Sequence, residues 1–278
     1  MEKVRYSDIL PFQRVICSKD SCTIYMIDGN SVLKKFDTRY LVSMSDSDYD
    51  IEDKILNTSD FVFDSNIVVP DSCVYSNCNF IGYTMPFIEG LPILDYVNDD
   101  MSLSDLTNLY FKVEEVVKRN SDIVFPDLLS YGNIMIDSNN DVRFIDFDGL
   151  QVMSYDTPVL SSGLGNRDIY DHTKYKNDSF YTKQLDIKSL FYLYFSLVFA
   201  YPMEDFDCYM SVSSRVEYLS KLFEYLGIDD CELFDKVCKL YGSDDNEYLG
   251  DTALRISELY DLNIINDGNS YIKRLVRK

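Results

Sequence analysis

Short β-branched and aromatic runs separated by turn residues dominate the first third of the chain, and this pattern is typical of strands. Residues 10–36 are predicted to form strands with turns, and CTIYMIDGNSVLKKF (22–36) holds two β-rich runs around Asp28-Gly29-Asn30. A Gly flanked by Asp and Asn between two such runs is a strong hairpin signal. Three more strands are predicted by the runs NIVV (66–69), SCVY (72–75) and FIGYTMPF (80–87).

Helical spacing is brief in the first third and prevails later. Residues 37–50 are polar and rich in Ser and Asp, which predicts a loop, and Asp50 to Leu56 predicts a helix. After Gly90-Leu91-Pro92, the apolar positions of Ser102 to Arg119 recur every three or four residues. This spacing predicts a helix with Ser102 or Ser104 as its N-cap.

The second half of the chain begins with two short strands and then becomes helical. The strands are predicted by NIMI (133–136) and VRFID (142–146), which are joined by Ser138-Asn139-Asn140. Residues 151–182 are predicted to be loop and residues 183–262 mostly helix. The order of strands with one helix, a hinge-like Gly/Pro segment and then mainly helices indicates an α+β protein.

Composition excludes several classes of protein. A chain of 278 residues that is 46% apolar is too hydrophobic to be disordered, and its richest apolar stretch, Ser189 to Pro202, is too short for a membrane helix. We expect a soluble, cytoplasmic protein, because the N-terminus shows no secretory signal. Seven scattered cysteines without a CxxC pair argue against disulfides and zinc, and the single histidine, His172, argues against a histidine metal site or a Ser-His-Asp triad.

The net charge of -21 limits the partners that the chain could bind. Such a surface repels phosphate backbones and anionic lipids, so we expect neither a nucleic-acid partner nor a membrane partner. The charge either keeps the protein soluble or attracts a basic protein partner, and the sequence leaves both interpretations open.

Polar side chains interrupt the two predicted strands of the second half where they approach each other. Asn133 opens the first strand and Asp146 closes the second, between Ile145 and Phe147 in an apolar run. A carboxylate in such a run needs a partner that offsets its desolvation. Oxygen ligands from two strands at the same end of a hairpin suit a hard cation such as Mg²⁺.

Motifs from about residue 13 to residue 260 resemble those of the protein-kinase family in one continuous order. They are VLKKF (32–36), EDKIL (52–56), MPFIEG (85–90), FPDLLSYGNIMI (125–136), FIDFDG (144–149), LDIKSL (185–190) and, more weakly, ALRISEL (253–259). The resemblance implies a two-lobed α+β fold. Residues 1–88 would form a small β-rich N-lobe with one main helix, and residues 89–278 would form a larger, mostly helical C-lobe.

The resemblance also implies a role for each matched residue. Lys34 would hold the α- and β-phosphates of ATP and Glu52 would orient Lys34. Asn133 and Asp146 would bind Mg²⁺, and Asp127 would be the catalytic aspartate. The adenine would lie between Ile24 and Val32 above and Met135 below, beside Met85 at the gatekeeper position. Asp186 would brace the backbone of the catalytic loop.

Three features depart from the family pattern. The glycine-rich loop is absent, and Cys17, Lys19 and Cys22 stand where its glycines would allow the backbone to approach phosphates. The usual His-Arg-Asp is Phe-Pro-Asp, and Asp127 lies six residues before Asn133 where the family has five. Strict spacing would put Leu128 at the catalytic position, so we prefer Asp127 with a one-residue bulge. The lysine two residues after the aspartate is also missing.

These observations predict an ATP- and Mg²⁺-dependent phosphotransferase acting on a protein or small-molecule hydroxyl group. A divergent Ser/Thr protein kinase is the interpretation that the motif order favours. The missing glycines and the shifted aspartate keep open a pseudokinase, a binding module without catalysis. The Asp-Phe-Asp turn (146–148) and the missing lysine keep open a small-molecule kinase of the aminoglycoside or choline type. Residues 154–181 occupy the place of an activation segment.

Overall fold

The fold is α+β, with a mixed six-stranded sheet and several helices. The computed structural model of the chain describes residues 1–9, 14–19, 21–45, 50–98, 101–152, 155, 176–177, 180–199, 219–220, 223–224, 229–242 and 247–259. In these parts of the chain, no helix is both long enough and apolar enough to pass through a bilayer.

The main sheet is built from the first 86 residues. Its strands are β1 (Glu2–Arg5), β2 (Arg14–Ser18), β3 (Cys22–Asp28), β4 (Ser31–Phe36), β5 (Ser72–Ser76) and β6 (Asn79–Pro86). Their order in space is β1-β5-β6-β4-β3-β2, and only the β1–β5 pair is parallel. The predicted hairpin is confirmed, since β3 and β4 are joined at Gly29 and Asn30, and the Asn30 amide donates to the Asp28 carboxylate at 2.9 Å.

In the described residues, seven strands of two to four residues follow the main sheet in sequence. They are β7 (Gly90–Pro92), β8 (Ile123–Val124), β9 (Ile134–Asp137), β10 (Val142–Phe144), β11 (Gln151–Val152), β12 (Lys176–Asn177) and β13 (Phe180–Tyr181). The antiparallel pair of β9 and β10 confirms the two strands predicted there, and β7 pairs with the other edge of β9. This small sheet positions the candidate site, because β9 and β10 flank it.

Helices form the rest of the described fold. They are α1 (Tyr6–Ile9), α2 (Thr38–Ser45), α3 (Ile51–Asn57), α4 (Ile93–Tyr96), α5 (Leu103–Arg119), α6 (Lys183–Phe199), α7 (Cys231–Gly242) and α8 (Gly250–Leu259). The predicted N-cap of α5 is confirmed, because Ser102 and Asp105 form a capping box, in which each side chain bonds the backbone of the other residue. Asp50 caps α3 by accepting the Asp53 amide at 2.9 Å.

Three local predictions are wrong, and one of them is residues 151–182, which were expected to be loop but contain β11, β12 and β13 in their described part. Residues 37–50 were expected to be a loop, yet Thr38–Ser45 forms α2, in which Tyr40 stacks on Phe36 with ring centroids 5.7 Å apart. The run NIVV was expected to be a strand, yet Ile67 makes only an isolated bridge to Phe144. The amide of Val68 donates to the Phe144 carbonyl, so this short run is tied to the end of β10 instead of joining the main sheet.

The two faces of the main sheet belong to different cores. Along β4, Leu33 packs with Ile9 and Val74 in a small outer cluster. The alternate residues Val32 and Phe36 belong to the large core, which continues without a break to α5 and α6. Helix α6 is buried along most of its described length, which explains why its sequence is apolar on every side. Lys34 therefore points from the sheet toward the large core.

Gly82 allows β6 to approach β4 beside Lys34. Its φ is +156°, and a Cβ atom at this position would lie 2.1 Å from the Lys34 carbonyl oxygen. Side chains larger than hydrogen are thus excluded by both conformation and space. The next residue, Tyr83, pairs in register with Lys34 and shares its face of the sheet.

Candidate functional site

Residues at the start of α6 hold the segment from Phe125 to Ser130 in place. The buried carboxylate of Asp186 accepts the Phe125 amide at 2.8 Å and pairs with Lys183 at 2.9 Å. Burial raises the pKa of Asp186 in spite of the Lys183 charge. The Phe125 ring packs against Phe144 in a tilted arrangement, with centroids 4.7 Å apart. The brace that the resemblance implied for Asp186 is thus present as a hydrogen bond to the loop backbone.

Asp127 lies at the surface of this loop and faces the end of β9. Its two carboxylate oxygens accept the Ser130 hydroxyl at 2.6 Å and the Asn133 amide at 3.0 Å. Leu128 and Leu129 are buried in the core. The side chain that strict spacing would place at the catalytic position, Leu128, therefore packs inside, and Asp127 is the carboxylate that reaches Asn133.

Asn133 and Asp146 meet at the same end of the β9–β10 hairpin. The Asn133 amide nitrogen lies 3.4 Å from Asp146 Oδ2, and the Asn133 carbonyl accepts the Ile145 amide at 3.0 Å. Gly149 closes over Asp146, because a Cβ atom there would lie 3.2 Å from the same Oδ2. Asp127, Asn133 and Asp146 line one cleft, whose remaining walls are Gly149 and apolar side chains.

The three polar side chains that line this cleft could bind a hard cation if each of them supplied an oxygen ligand. Asp127 and Asp146 supply carboxylate oxygens, and Asn133 supplies an amide whose nitrogen now faces both of them. A half-turn of that amide presents its oxygen instead. The described residues contain no group of three His, Cys, Asp or Glu side chains arranged for a metal, so the Asn133 oxygen is needed as the third donor.

Lys34 reaches the cleft from the sheet. Its ammonium donates to Asp146 Oδ1 and, at 2.6 Å, to Asp148 Oδ1. The Tyr83 hydroxyl donates to the same Asp148 oxygen at 2.5 Å. Lys34, Tyr83 and Asp148 are nearly fully buried, whereas about a quarter of the Asp146 side chain, 26%, is exposed to the cleft.

The charges in this network shift one another's pKa values. Burial and the neighbouring Asp148 charge raise the pKa of Asp146. Burial opposes the charge of Asp148 as well, but Lys34 and the Tyr83 hydroxyl hold its pKa below the usual value. Burial also opposes the charge of Lys34, yet the two carboxylates raise its pKa well above 10.5. Lys34 and Asp148 are therefore a charged pair in the folded protein.

The structure does not bring Glu52 to Lys34, where the resemblance had placed it. Glu52 accepts the Tyr75 hydroxyl at 2.6 Å and lies 3.9 Å from Lys3. The buried polar residue of α3 is Lys54, whose ammonium donates to the carbonyl oxygens of Leu150 and, at 3.1 Å, Asp148. The expected pair of Lys34 with Glu52 is thus replaced by a pair of Lys34 with Asp148.

The residues expected around an adenine lie on two surfaces. Ile24, Val32 and Met85 share the inner face of the main sheet, where Val32 pairs in register with Met85 and Ile24 with Lys34. Met135 lies in β9 between two buried isoleucines and is only partly buried itself. Met135 therefore lies in the small sheet, two residues after Asn133, and not in the main sheet.

The hairpin that stands in place of a glycine-rich loop presents a cation. All five residues of β2 are exposed, and Cys17 is among them, whereas Cys22 is buried at the start of β3. Lys19 is exposed at the turn, and its positive charge offsets a small part of the rise in the pKa of Asp146 that burial causes. His172 and most of residues 154–181 lie outside the described residues.

Comparisons with known proteins add no relative to this geometry. Protein-family models and curated protein sequences were both searched, and neither search finds a match to the chain.

Proposed function

We propose that this chain is an ATP- and Mg²⁺-dependent phosphotransferase with the two-lobed architecture of the protein-kinase family, most directly a divergent Ser/Thr protein kinase. One observation carries this proposal. Asp127, Asn133 and Asp146 line one cleft, and Lys34 reaches from the main sheet to bond Asp146. The strand-rich first 86 residues and the mainly helical remainder agree with such a fold.

The converging side chains match the needs of phosphoryl transfer, which depends on positioning and on neutralising charge. The Lys34 ammonium, which bonds Asp146, would hold phosphate oxygens, and the exposed Lys19 would add a second positive charge. Asn133 and Asp146 would hold Mg²⁺, which neutralises the charge that develops on the phosphates. The Asp127 carboxylate, held by Ser130, is placed to orient an acceptor hydroxyl and to take its proton.

Other observations favour the two alternative functions, a binding module without catalysis and a small-molecule kinase. The absence of a glycine in β2 and the double pairing of Lys34 favour a binding module without catalysis. Leu129, which is buried, and Ser130, which bonds Asp127, stand where the family carries a lysine, and this favours a small-molecule acceptor. Both alternatives would use the same cleft.

The test is transfer of labelled phosphate from Mg-ATP by the wild type, Asp127→Asn, Asp146→Asn and the matched control Asp141→Asn. Asp141 is an exposed carboxylate in the turn of the same hairpin. We expect Asp127→Asn to lose about 10²- to 10⁴-fold in rate and Asp146→Asn to be inactive, with Asp141→Asn unchanged.

Each pattern of labelling decides between the candidates. Label on the protein or on added proteins supports the protein kinase, and label only on added small hydroxyl compounds supports the small-molecule kinase. ATP binding without hydrolysis or transfer supports the binding module. A wild-type protein that neither binds nor turns over ATP, or an Asp146→Asn variant with full activity, would refute the proposal.

A further inference from the structure

We propose that Asp148, and not Glu52, is the carboxylate that positions Lys34 for a bound nucleotide. This inference rests on the proposed function, because it concerns the lysine that would hold the phosphates. Asp148 acts through Lys34 and is a positioning residue.

The surroundings of Asp148 suit a fixed partner of Lys34. Its side chain is only 5% exposed and accepts two hydrogen bonds on one oxygen, from Lys34 at 2.6 Å and from Tyr83 at 2.5 Å. The Tyr83 ring is fully buried, and its strand pairs in register with that of Lys34. A buried and hydrogen-bonded charge pair holds its geometry far better than an exposed pair.

Asp146 and Asp148 differ in what they face, and this difference separates their roles. The more exposed Asp146 faces the cleft and lies beside Asn133, so one of its oxygens stays directed to a ligand. Asp148 does not line the cleft, and its carboxylate bonds Lys34 and Tyr83. The turn from Asp146 to Asp148 therefore supplies two carboxylates to the Lys34 ammonium, one at the cleft and one buried.

Helix α3 presents an ammonium, and not a carboxylate, to the turn that carries Asp148. Its buried polar side chain is Lys54, which donates to the carbonyl oxygens of Asp148 and Leu150. Asp148 thus bonds Lys34 with its carboxylate and Lys54 with its backbone carbonyl. Glu52 points away to Tyr75 and Lys3, and its side chain is 31% exposed.

The experiment compares two matched amide substitutions, Asp148→Asn and Glu52→Gln, each alone and combined with Lys34→Met. Urea unfolding of each set gives the coupling of Lys34 to either carboxylate. We expect a coupling of about tenfold or more in the unfolding equilibrium constant for Asp148, and less than about twofold for Glu52.

Steady-state kinetics of the single variants test the positioning role. If Asp148 served only to stabilise the fold, the kinetic constants of the folded variant would equal those of the wild type. Asp148→Asn is expected to raise the KM for ATP and to lower kcat/KM about 10- to 100-fold, while Glu52→Gln stays within about twofold of the wild type. If Asp148→Asn does not fold, Tyr83→Phe removes one hydrogen bond from Asp148 and keeps its charge. This variant is expected to show the same change in KM at a smaller size.

The outcomes are distinguishable from those of the proposed function. An equal or larger loss in Glu52→Gln, or a coupling of Lys34 to Asp148 below about twofold, would overturn the inference. A wild type without phosphate transfer would refute the proposed function alone, because the unfolding cycle still decides which carboxylate holds Lys34.

Discussion

Replacing Lys54 by Met removes the only side chain of α3 that bonds the turn after Asp146 in the described structure. The substitution keeps an unbranched side chain that is one atom shorter, and it leaves the carbonyls of Asp148 and Leu150 without their ammonium donor. A buried acceptor without a partner costs about 1–3 kcal/mol. Two such acceptors together would cost about 2–6 kcal/mol. Because the substitution also removes the desolvation penalty of the buried ammonium, we expect a net destabilisation at the lower end of this range, about 2–4 kcal/mol.

Thermal unfolding followed by circular dichroism measures this effect. For a chain of this size, 2–4 kcal/mol corresponds to a fall in Tm of about 3–7 °C. The matched control is Lys112→Met, because exposed Lys112 on α5 also donates to a backbone carbonyl, that of Asn140, at 2.7 Å. We expect the control to stay within about 0.5 kcal/mol of the wild type. Equal losses in the two variants, or an unchanged Tm for Lys54→Met, would refute the reasoning about buried carbonyls.

Two further predictions concern glycines beside the β9–β10 hairpin and Asp137 at the end of β9. Gly149→Ala places a methyl group 3.2 Å from Asp146 Oδ2, so we expect it to lower the rate of phosphate transfer with little change in Tm. In the control Gly132→Ala, the methyl group meets no atom within 4 Å and the rate should not change, and equal rates in the two variants would contradict this. Partial burial opposes the charge of Asp137, but the Arg143 guanidinium at 2.8 Å and turn amides hold its pKa below 3.8. Its stabilising effect is therefore present above pH 3.8 and is lost as the pH falls through the lowered pKa. The difference in unfolding free energy between wild type and Asp137→Asn should narrow below pH 3.8, and a constant difference from pH 6 to pH 3 would argue against it.

Much of the fold was predictable because local signals agree with the tertiary structure. The turn at Gly29, the cap at Ser102 and the strands around Asn133 and Asp146 each combine a pattern with a punctuating residue. The α2 segment was missed because its polar composition resembles a loop, and its contact with Phe36 is tertiary. The run NIVV has strand composition, but its partner is the end of β10, which sequence alone does not reveal.

Helical spacing in the sequence indicates that Lys54, and not Glu52, lies on the buried face of α3. Ile51 and Ile55 are buried on α3, and Lys54 lies on the same face, three residues after Ile51. Glu52 follows Ile51 by one residue, so it points about 100° away around the helix axis. The resemblance favoured Glu52 because it is a carboxylate, whereas the geometry of the helix favours Lys54 because it lies on the buried face.

The role of Asp148 had a weaker signal in the sequence. It follows Phe147 in a mostly apolar segment, and such a carboxylate needs a partner for the same reason as Asp146. Its partners, Lys34 and Tyr83, lie 114 and 65 residues earlier in the chain. A pairing of this kind depends on how the sheet packs over the hairpin, and no local pattern encodes it.

The buried network also has a consequence for how this sequence can change over time. Two ammonium groups, of Lys34 and Lys54, and two carboxylates, of Asp146 and Asp148, surround one turn, and their formal charges sum to zero. Replacing any one of them leaves a charge without compensation in a poorly solvated place. The four residues are therefore expected to be inherited as a set and exchanged only in compensating pairs, so charge balance limits divergence at this turn more than side-chain shape does.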